Sequence, residues 1–329
     1  MTPTTRTGAT LALDIGGANT KAARLQAGSL RTVSRPFEVW RDREALVTVL
    51  REVAAEAGAA DAVAITMTAE LSDAFRTKRE GVAFVLEAAQ DALGELRVLT
   101  VDGELVPVAV AHARPWDVAA ANWVATALAV AGSYPDALLI DVGSTTTDVI
   151  AVVGGRVAAS GRNDLERLQA GELVYTGVLR TNLAAIAREV PVRGGWCPVA
   201  SEFFAISADV HLVLGRLAPE AYDCPTPDGR PATVAFARER IARLVCADVE
   251  QLDAGEIDAI AAFLHDEQVR QIEAAARRAR DLPPAAPVVA VGSGAHLARE
   301  VAARLGRVVA DAPAPGPAAA LAVLAARLC

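Results

Sequence analysis

Two stretches of this chain set an aspartate, glycines and hydroxyls in an order that can hold phosphate. The first runs Leu11-Ala-Leu-Asp-Ile-Gly-Gly-Ala-Asn-Thr-Lys-Ala-Ala-Arg-Leu25, the second Leu138-Leu-Ile-Asp-Val-Gly-Ser-Thr-Thr-Thr-Asp-Val-Ile-Ala-Val152. Shifted by 127 residues, Asp14 falls on Asp141, Gly16 on Gly143, Thr20 on Thr147 and Gly28 on Gly155. A Gly-rich turn aims several backbone N–H groups at one concavity, which suits phosphate oxygens. Gly16, Gly17, Asn19, Thr20 and Lys21 furnish the first turn; Gly143, Ser144, Thr145, Thr146 and Thr147 furnish the second. Asp14 and Asp141 each close a buried strand, where a carboxylate is costly unless it shares a cation. Magnesium, which takes carboxylates, waters and substrate phosphate together, meets that need.

The elements that must position these residues are two related halves, each opening on a β-hairpin and continuing into strand–helix units. In the first half, Arg43 to Ala57 and Arg79 to Leu93 have helical spacing, Ala62 to Thr66 reads as a buried strand and Leu96 to Val101 as extended. Trp116 to Ala131 is Ala-rich and reads as one helix, and Ser133-Tyr-Pro-Asp leads into the second half. There, Gly171 to Val190, Val199 to Leu214, Val234 to Val245, Asp253 to His265 and Glu267 to Ala279 read as helical, around a Pro/Gly-rich loop at Pro219 to Pro231. Val288 to Val291 then leads through Gly292-Ser-Gly294 into a helix, a turn that is either punctuation or a place of close ligand approach. Gly316-Pro317 opens a terminal helix, where a missing N–H costs nothing. The domain reading is 1–131 for the first half and 132–329 for the second, with a helical insertion at about 165–282.

At 329 residues the chain is long enough for about two domains. With 53% hydrophobic and 22% charged residues it is neither disordered nor a polyelectrolyte. A net charge of −8 argues against a nucleic-acid surface. The longest apolar run near an end, Ala318 to Ala326, is too short to span a bilayer. Met1 to Gly8 is polar, unlike a signal peptide. Cys197, Cys224, Cys246 and Cys329 form no C-x-x-C pair and read as reduced thiols of a cytoplasmic enzyme.

Taken together, Asp14 to Lys21, Asp141 to Asp148 and the late Val291 to Gly294 resemble the phosphate-1, phosphate-2 and adenosine segments of the actin/sugar kinase/Hsp70 superfamily. Within it the chain resembles the hydantoinase A/oxoprolinase-like group, and there the ether-forming synthases of methanofuran-type cofactor biosynthesis. Met67-Thr-Ala-Glu-Leu-Ser-Asp-Ala-Phe-Arg-Thr-Lys-Arg-Glu-Gly81, Ala119-Ala-Ala-Asn-Trp-Val-Ala-Thr126, Pro191-Val-Arg-Gly-Gly195 and Ser201-Glu-Phe-Phe-Ala-Ile-Ser-Ala-Asp209 carry that narrower resemblance. It implies an α/β fold of duplicated actin-like (ribonuclease H-like) domains with a cleft between them and a helical insertion in the second half. It also implies a transferase: γ-glutamyltyramine attacks an aminomethylfuran-methyl diphosphate through its phenol oxygen and diphosphate leaves, with Mg²⁺ as cofactor. The implied partners are those small molecules, with no nucleic acid or membrane, and a homo-oligomer stays open.

On that reading the phosphate turns, with Gly292 and Gly294, grip diphosphate, Lys21 touches it, and Asp14 and Asp141 hold the metal. A phenol titrates near 10 and needs a base; Glu70, Asp148, Glu202 and Asp209 are the candidates. Asp148, which falls on Lys21 in the duplication, serves either as base or as outer metal ligand. Arg76, Lys78 and Arg79 bind the glutamyl carboxylate or the diphosphate, unless they merely begin a solvated helix. Asn122 is a substrate contact or a helix-packing group. Glu202 and Asp209, seven residues apart, share a helix face and line the cleft, or else one caps and the other is exposed. Two other readings stand beside the synthase: an ATP-dependent kinase or hydantoinase/oxoprolinase-type subunit, and a nucleotide-sensing actin-like binding protein. ATP turnover or tight ATP binding distinguishes both from the synthase.

Overall fold

The computed structural model describes residues 8–279 and 281–328; the polar lead-in before Gly8 and Cys329 lie outside them. Two compact units form. The first takes in the chain up to Ala137, Val152–Arg167 and the segment from Ala312 onward; the second takes in Leu138–Ala151 and Leu168–Asp311. The C-terminal helix thus belongs with the first half of the sequence, not the second.

The first unit is built on β1 (Thr10–Ile15), β2 (Asn19–Gln26), β3 (Ser29–Pro36), α1 (Leu46–Ala57), β4 (Ala62–Met67), α2 (Lys78–Leu93), β5 (Arg97–Leu99), β6 (Leu105–Pro107), α3 (Val108–Ala113), α4 (Pro115–Val118) and α5 (Asn122–Ala131). Its sheet runs β3-β2-β1-β4-β5-β6, with β1, β4 and β5 parallel to their neighbours in that trio. Alternation along β1 divides the two faces. Leu11, Leu13 and Ile15, with Ile65 and Met67 of β4, pack on Leu46, Leu50 and Val53 of α1 and on Val82, Val85 and Leu86 of α2. On the opposite face Ala12 stands in register with Ala23 and Ala64, and Asp14 with Lys21 and Thr66. That small-residue face lets a helix approach closely.

The chain continues through β7 (Ala137–Val142), β8 (Thr147–Val153), β9 (Arg156–Val157), α6 (Asp164–Ala170), β10 (Leu173–Val174), β11 (Glu189–Val192), β12 (Gly195–Pro198), α7 (Ser207–Val213), α8 (Val234–Arg243), α9 (Ala254–Ala276), β13 (Val288–Val291), α10 (Ala295–Arg304), β14 (Val309–Ala310) and α11 (Pro317–Leu328). The Ala-rich α11 lies against β1, β2, β4 and α5, which fixes it in the first unit. The second sheet runs β10-β8-β7-β13-β14. Each hairpin also turns into a third strand through a two-residue loop with both φ angles positive, Ala27 (47°) and Gly28 (79°) in one, Gly154 (57°) and Gly155 (71°) in the other. Those are the dihedrals of a type I′ turn. The duplication read from Gly28 and Gly155 is therefore one of backbone conformation. No helix among the described residues is long and apolar enough to cross a membrane.

Several expected helices are absent or interrupted. Gly171 to Val190 holds β10, a 3-10 turn at Leu183–Ala185 and the start of β11. Gly171 sits at φ 79°, and Thr181 and Asn182 hydrogen-bond nearby backbone N–H groups that a helix would have used. Only Ser207–Val213 of the stretch Val199 to Leu214 is helical. Trp116 to Ala131 splits where Ala120 takes φ 49°. Conversely, Asp253 to His265 and Glu267 to Ala279 fuse into α9, opened by a reciprocal Asp253–Glu256 cap.

Candidate active site

In both units the phosphate-type turn is closed the same way. Gly16 N–H donates to Asn19 O at 3.0 Å, and Gly143 N–H to Thr146 O at 2.8 Å. The carbonyls of each turn are taken up by a following segment. Gly17 and Ala18 accept from Val39 and Phe37, while Gly143 and Ser144 accept from Val178, Leu179 and Arg180. With its carbonyls turned to protein, such a turn offers N–H groups to an anion. The glycines are required by contact. A Cβ on Gly16 would strike Asn19 O, one on Gly177 the Ser144–Thr145 backbone, and one on Gly292 both Val142 O and the Asp141 carboxylate. Gly294 packs against Val142 and donates to its carbonyl at 2.9 Å, so the late Gly turn is seated on the end of β7.

Asp14 and Asp141 are buried at their strand ends, 8% and 7% exposed. Beside Asp14 the hydroxyl of Thr66 is buried with no hydrogen-bond partner, as is that of Thr20 on the next strand. Thr147, the counterpart of Thr20, instead donates to Thr176 O at 2.7 Å. Lys21 is exposed on β2 directly across from Asp14, and Asp148 is half-buried on β8 across from Leu173. Asn19, Ser144, Thr145 and Thr146 are half-buried around the turns. No cluster of three or more metal-ligating side chains exists among the described residues. One buried carboxylate at a time suits Mg²⁺ arriving with phosphate, and does not suit a cage for a resident ion.

The first unit also holds an unusual carboxyl group. Glu70 lies in a 3-10 turn, Ala69–Leu71, just past β4, and is 1% exposed. Neither carboxyl oxygen has a hydrogen-bond partner. Gly81 of α2 leans on its backbone so closely that a Cβ would collide with the Glu70 carbonyl. Burial pushes the Glu70 carboxyl from 4.5 up to about 7, with Asp164 adding to the rise; the charge of Lys78 and the nearby Glu70 and Ala120 amides hold it back. Lys78 Nζ meets Asp164 Oδ2 at 2.5 Å and also lines a cavity of about 350 Å³ with Trp116, Asp117, Arg162, Asn163 and Glu166. Arg79 lies over the Trp116 ring at 5.6 Å, and Arg162 grips Asp102 through two hydrogen bonds of 2.6 and 2.8 Å. Glu70 does not line this cavity itself; it feels the charge of Lys78, which does. A cavity with both charge signs and an indole suits a polar aromatic molecule.

Comparison with known proteins shows the family. The hydantoinase/oxoprolinase family model matches residues 61–329. The chain belongs to the hydantoinase/oxoprolinase family. A family relative from Methanocaldococcus jannaschii, (4-{4-[2-(γ-L-glutamylamino)ethyl]phenoxymethyl}furan-2-yl)methanamine synthase, is 36% identical over 249 residues, 75% of this chain and 74% of that one. The synthase of the same name from Methanococcus vannielii is 44% identical over 119 residues, 36% of this chain and 53% of its own. A nucleotide-free acetone carboxylase structure overlays 98% of this chain and 70% of its own with a TM-score of 0.59 at 10% identity, a likeness of fold alone. The fold is the duplicated actin-like one expected.

In this hydantoinase/oxoprolinase family member the other base candidates sit differently from Glu70. Glu202 is exposed on a bend ahead of α7, so it does not share a helix face with Asp209. The second of the two arrangements left open by their spacing is the one found: Asp209 caps, accepting from Ile206 N–H at 3.0 Å, and Glu202 faces solvent. Asp209 is wholly buried, accepts from Arg240 at 2.6 and 2.9 Å and from Tyr222 Oη at 3.1 Å, and holds α7 to α8. Burial raises its carboxyl against the pull of Arg240, and pushes the Tyr222 hydroxyl up as well. Arg76 is exposed, and its N–H joins Glu80 at the start of α2 instead of reaching the cavity. Asn122 opens α5, half-buried, two residues after Ala120. Trp116, Asp164 and Arg162 escaped the sequence reading; only an indole in an Ala-rich run hinted at the first.

Proposed function

We propose that this chain makes an aryl ether, joining the phenol oxygen of γ-glutamyltyramine to the methyl carbon of an aminomethylfuran-methyl diphosphate. The observation that carries the reading is Glu70, a buried carboxyl titrating near neutrality in a chain related over three-quarters of its length to the synthase. Ionised Glu70 takes the phenol proton as the oxygen–carbon bond forms and the carbon–oxygen bond to diphosphate breaks. The aminomethylfuran stabilises positive charge on that carbon, so the protein's part is to align the phenol, exclude water and receive the leaving charge. Each unit's turn, Gly16–Asn19 in the first and Gly143–Thr146 in the second, offers amide edges suited to diphosphate oxygens. Asp14 and Asp141 are the carboxylates that would hold Mg²⁺, which when bound neutralises charge on the departing diphosphate. The cavity at Lys78, Trp116 and Arg162 receives the glutamyl end of the phenol substrate, with Arg79 steadying the indole.

The test is one assay with both substrates and Mg²⁺, with ATP added in a parallel tube. Diphosphate and the ether mass should appear together without ATP. ATP hydrolysis or phosphate transfer with no ether formed would return the chain to the kinase or hydantoinase-subunit reading.

A further inference from the structure

The Ser144–Thr147 turn is held by a buried polar network that lies outside the turn's own sequence motif. Gly177 lies flat against the turn, and the three N–H groups after it bind the turn's carbonyls. Gly177 is itself fixed from several sides. Its N–H donates to Thr181 Oγ1 at 2.8 Å, while its carbonyl accepts from Ser207 Oγ at 2.8 Å and from Gln268 Nε2 at 2.8 Å. Gln268 Nε2 also donates to Thr176 Oγ1 at 2.9 Å, and the Thr176 carbonyl accepts from Thr147, the last residue of the turn. A glutamine in the middle of α9 therefore holds two consecutive residues, Thr176 and Gly177, of the segment that pins the turn.

The orientation of that amide is forced. Gly177 O can only accept, so the atom facing it is the nitrogen, and Gln268 Oε1 faces His211 Nε2 at 2.9 Å. His211 must then carry a proton on Nε2, and when the ring is neutral Nδ1 is left as acceptor, with His296 Nε2 3.4 Å from it. Burial, followed by the His296 and His265 rings, lowers His211 to about 3, which keeps it in that form. His211 is fully buried and Gln268 is 1% exposed, so water cannot substitute for either.

We infer that Gln268, oriented by His211, is a positioning residue that sets the Ser144–Thr147 turn for the anion it receives. That the anion is diphosphate rests on the function proposed above.

Gln268→Met keeps the length and removes both donors. Hydrogen exchange at 143–147 and 176–181 should quicken by about tenfold or more. Ile260→Ala, which removes packing from the same helix without touching the network, should not do this when the two are compared at matched thermal stability. Affinity for inorganic diphosphate with Mg²⁺ should fall by about tenfold in Gln268→Met only. Unchanged exchange at the turn, or equal change in Ile260→Ala, overturns the inference. Nitrogen NMR of the wild-type imidazoles provides a second measurement that needs no variant. His211 should carry its proton on Nε2 at neutral pH, and a ring protonated on Nδ1 alone overturns the network. If the wild type binds no diphosphate at all, the diphosphate reading falls while exchange and tautomer still decide the role of Gln268.

Discussion

Glu70 and Asp209 are both buried carboxyl groups, and the protein treats them in opposite ways. Asp209 receives two bonds from Arg240, one from Tyr222 and one from a backbone N–H. Neither oxygen of Glu70 has such a partner, although the Glu70 and Ala120 amides are near, and the cation that acts on it, Lys78, is paired with Asp164. A buried charge with a full set of donors is structural, because every donor that satisfies it also fixes it. A buried carboxyl without donors is held near its neutral state and can exchange a proton with whatever enters. The two turns show the same contrast more weakly: Thr147 is bonded to Thr176, while Thr20 and Thr66 keep buried hydroxyls without partners. In each comparison the first unit is the one whose buried polar groups have no hydrogen-bond partner.

The sharpest way to break the first comparison is to neutralise each carboxyl in turn. Glu70→Gln should lower kcat by about 10²- to 10⁴-fold, the usual worth of a general base, with the fold intact by circular dichroism. Asp209→Ala should do the reverse. It leaves Arg240 buried without its partner, and breaking such a pair costs about 3–5 kcal/mol, read as a loss of unfolding free energy in urea. Any protein that stays folded should keep most of its kcat. If Asp209→Ala instead proves stable and inactive, the roles assigned to the two groups are exchanged.

Sequence alone set these two residues side by side as candidates, since nothing in Ser201–Asp209 announces Arg240, which lies thirty-one positions on and on another helix. What was legible was local: the paired Asp and Gly positions, the strand ends they close and the glycines that begin β3 and β9. Those features depend on near neighbours and on φ angles that few residues tolerate. Gly171 to Val190 was illegible as the clasp of a turn because its apolar spacing passes for a helix. Its Thr and Asn side chains divert the backbone only when the second hairpin is there to receive it. The cavity was illegible for a similar reason. Lys78, Trp116 and Arg162 are far apart in the chain, and only folding brings them together.

The pH dependence of Glu70 sharpens the contrast in two readouts. A base must be ionised, so kcat/KM should climb through about pH 7, the value to which burial raises this carboxyl. Stability should move the other way. The folded state holds the proton more tightly than the unfolded state, so the wild type loses stability as pH rises from the ordinary 4.5 through about 7. The loss is on the order of 3 kcal/mol if the whole shift is expressed. Glu70→Gln lacks the titration and should be more stable than wild type at about pH 8.5, with little advantage at about pH 4.5. Urea unfolding at those two pH values checks the sign, and an equal difference at both would show that Glu70 does not titrate on folding.

The smallest effect tests the coupling that makes Glu70 different. Lys78 opposes the rise in its proton affinity and Asp164 supports it, so the variants should pull in opposite directions. Lys78→Met should move the ascending limb of kcat/KM upward by about half to one pH unit. Asp164→Asn should move it downward by a similar amount, because it removes an anion and also frees the Lys78 ammonium to act on Glu70. The double variant removes both influences and should return the limb close to its starting point. Since Lys78 also lines the cavity, Lys78→Met should raise KM for the phenol substrate as well, whereas Asp164→Asn need not. A shift in the limb without a change in KM separates the electrostatic role from the binding role. If neither variant moves the limb, the rate is governed by some group other than Glu70, and the contrast with Asp209 would then describe two structural carboxyl groups.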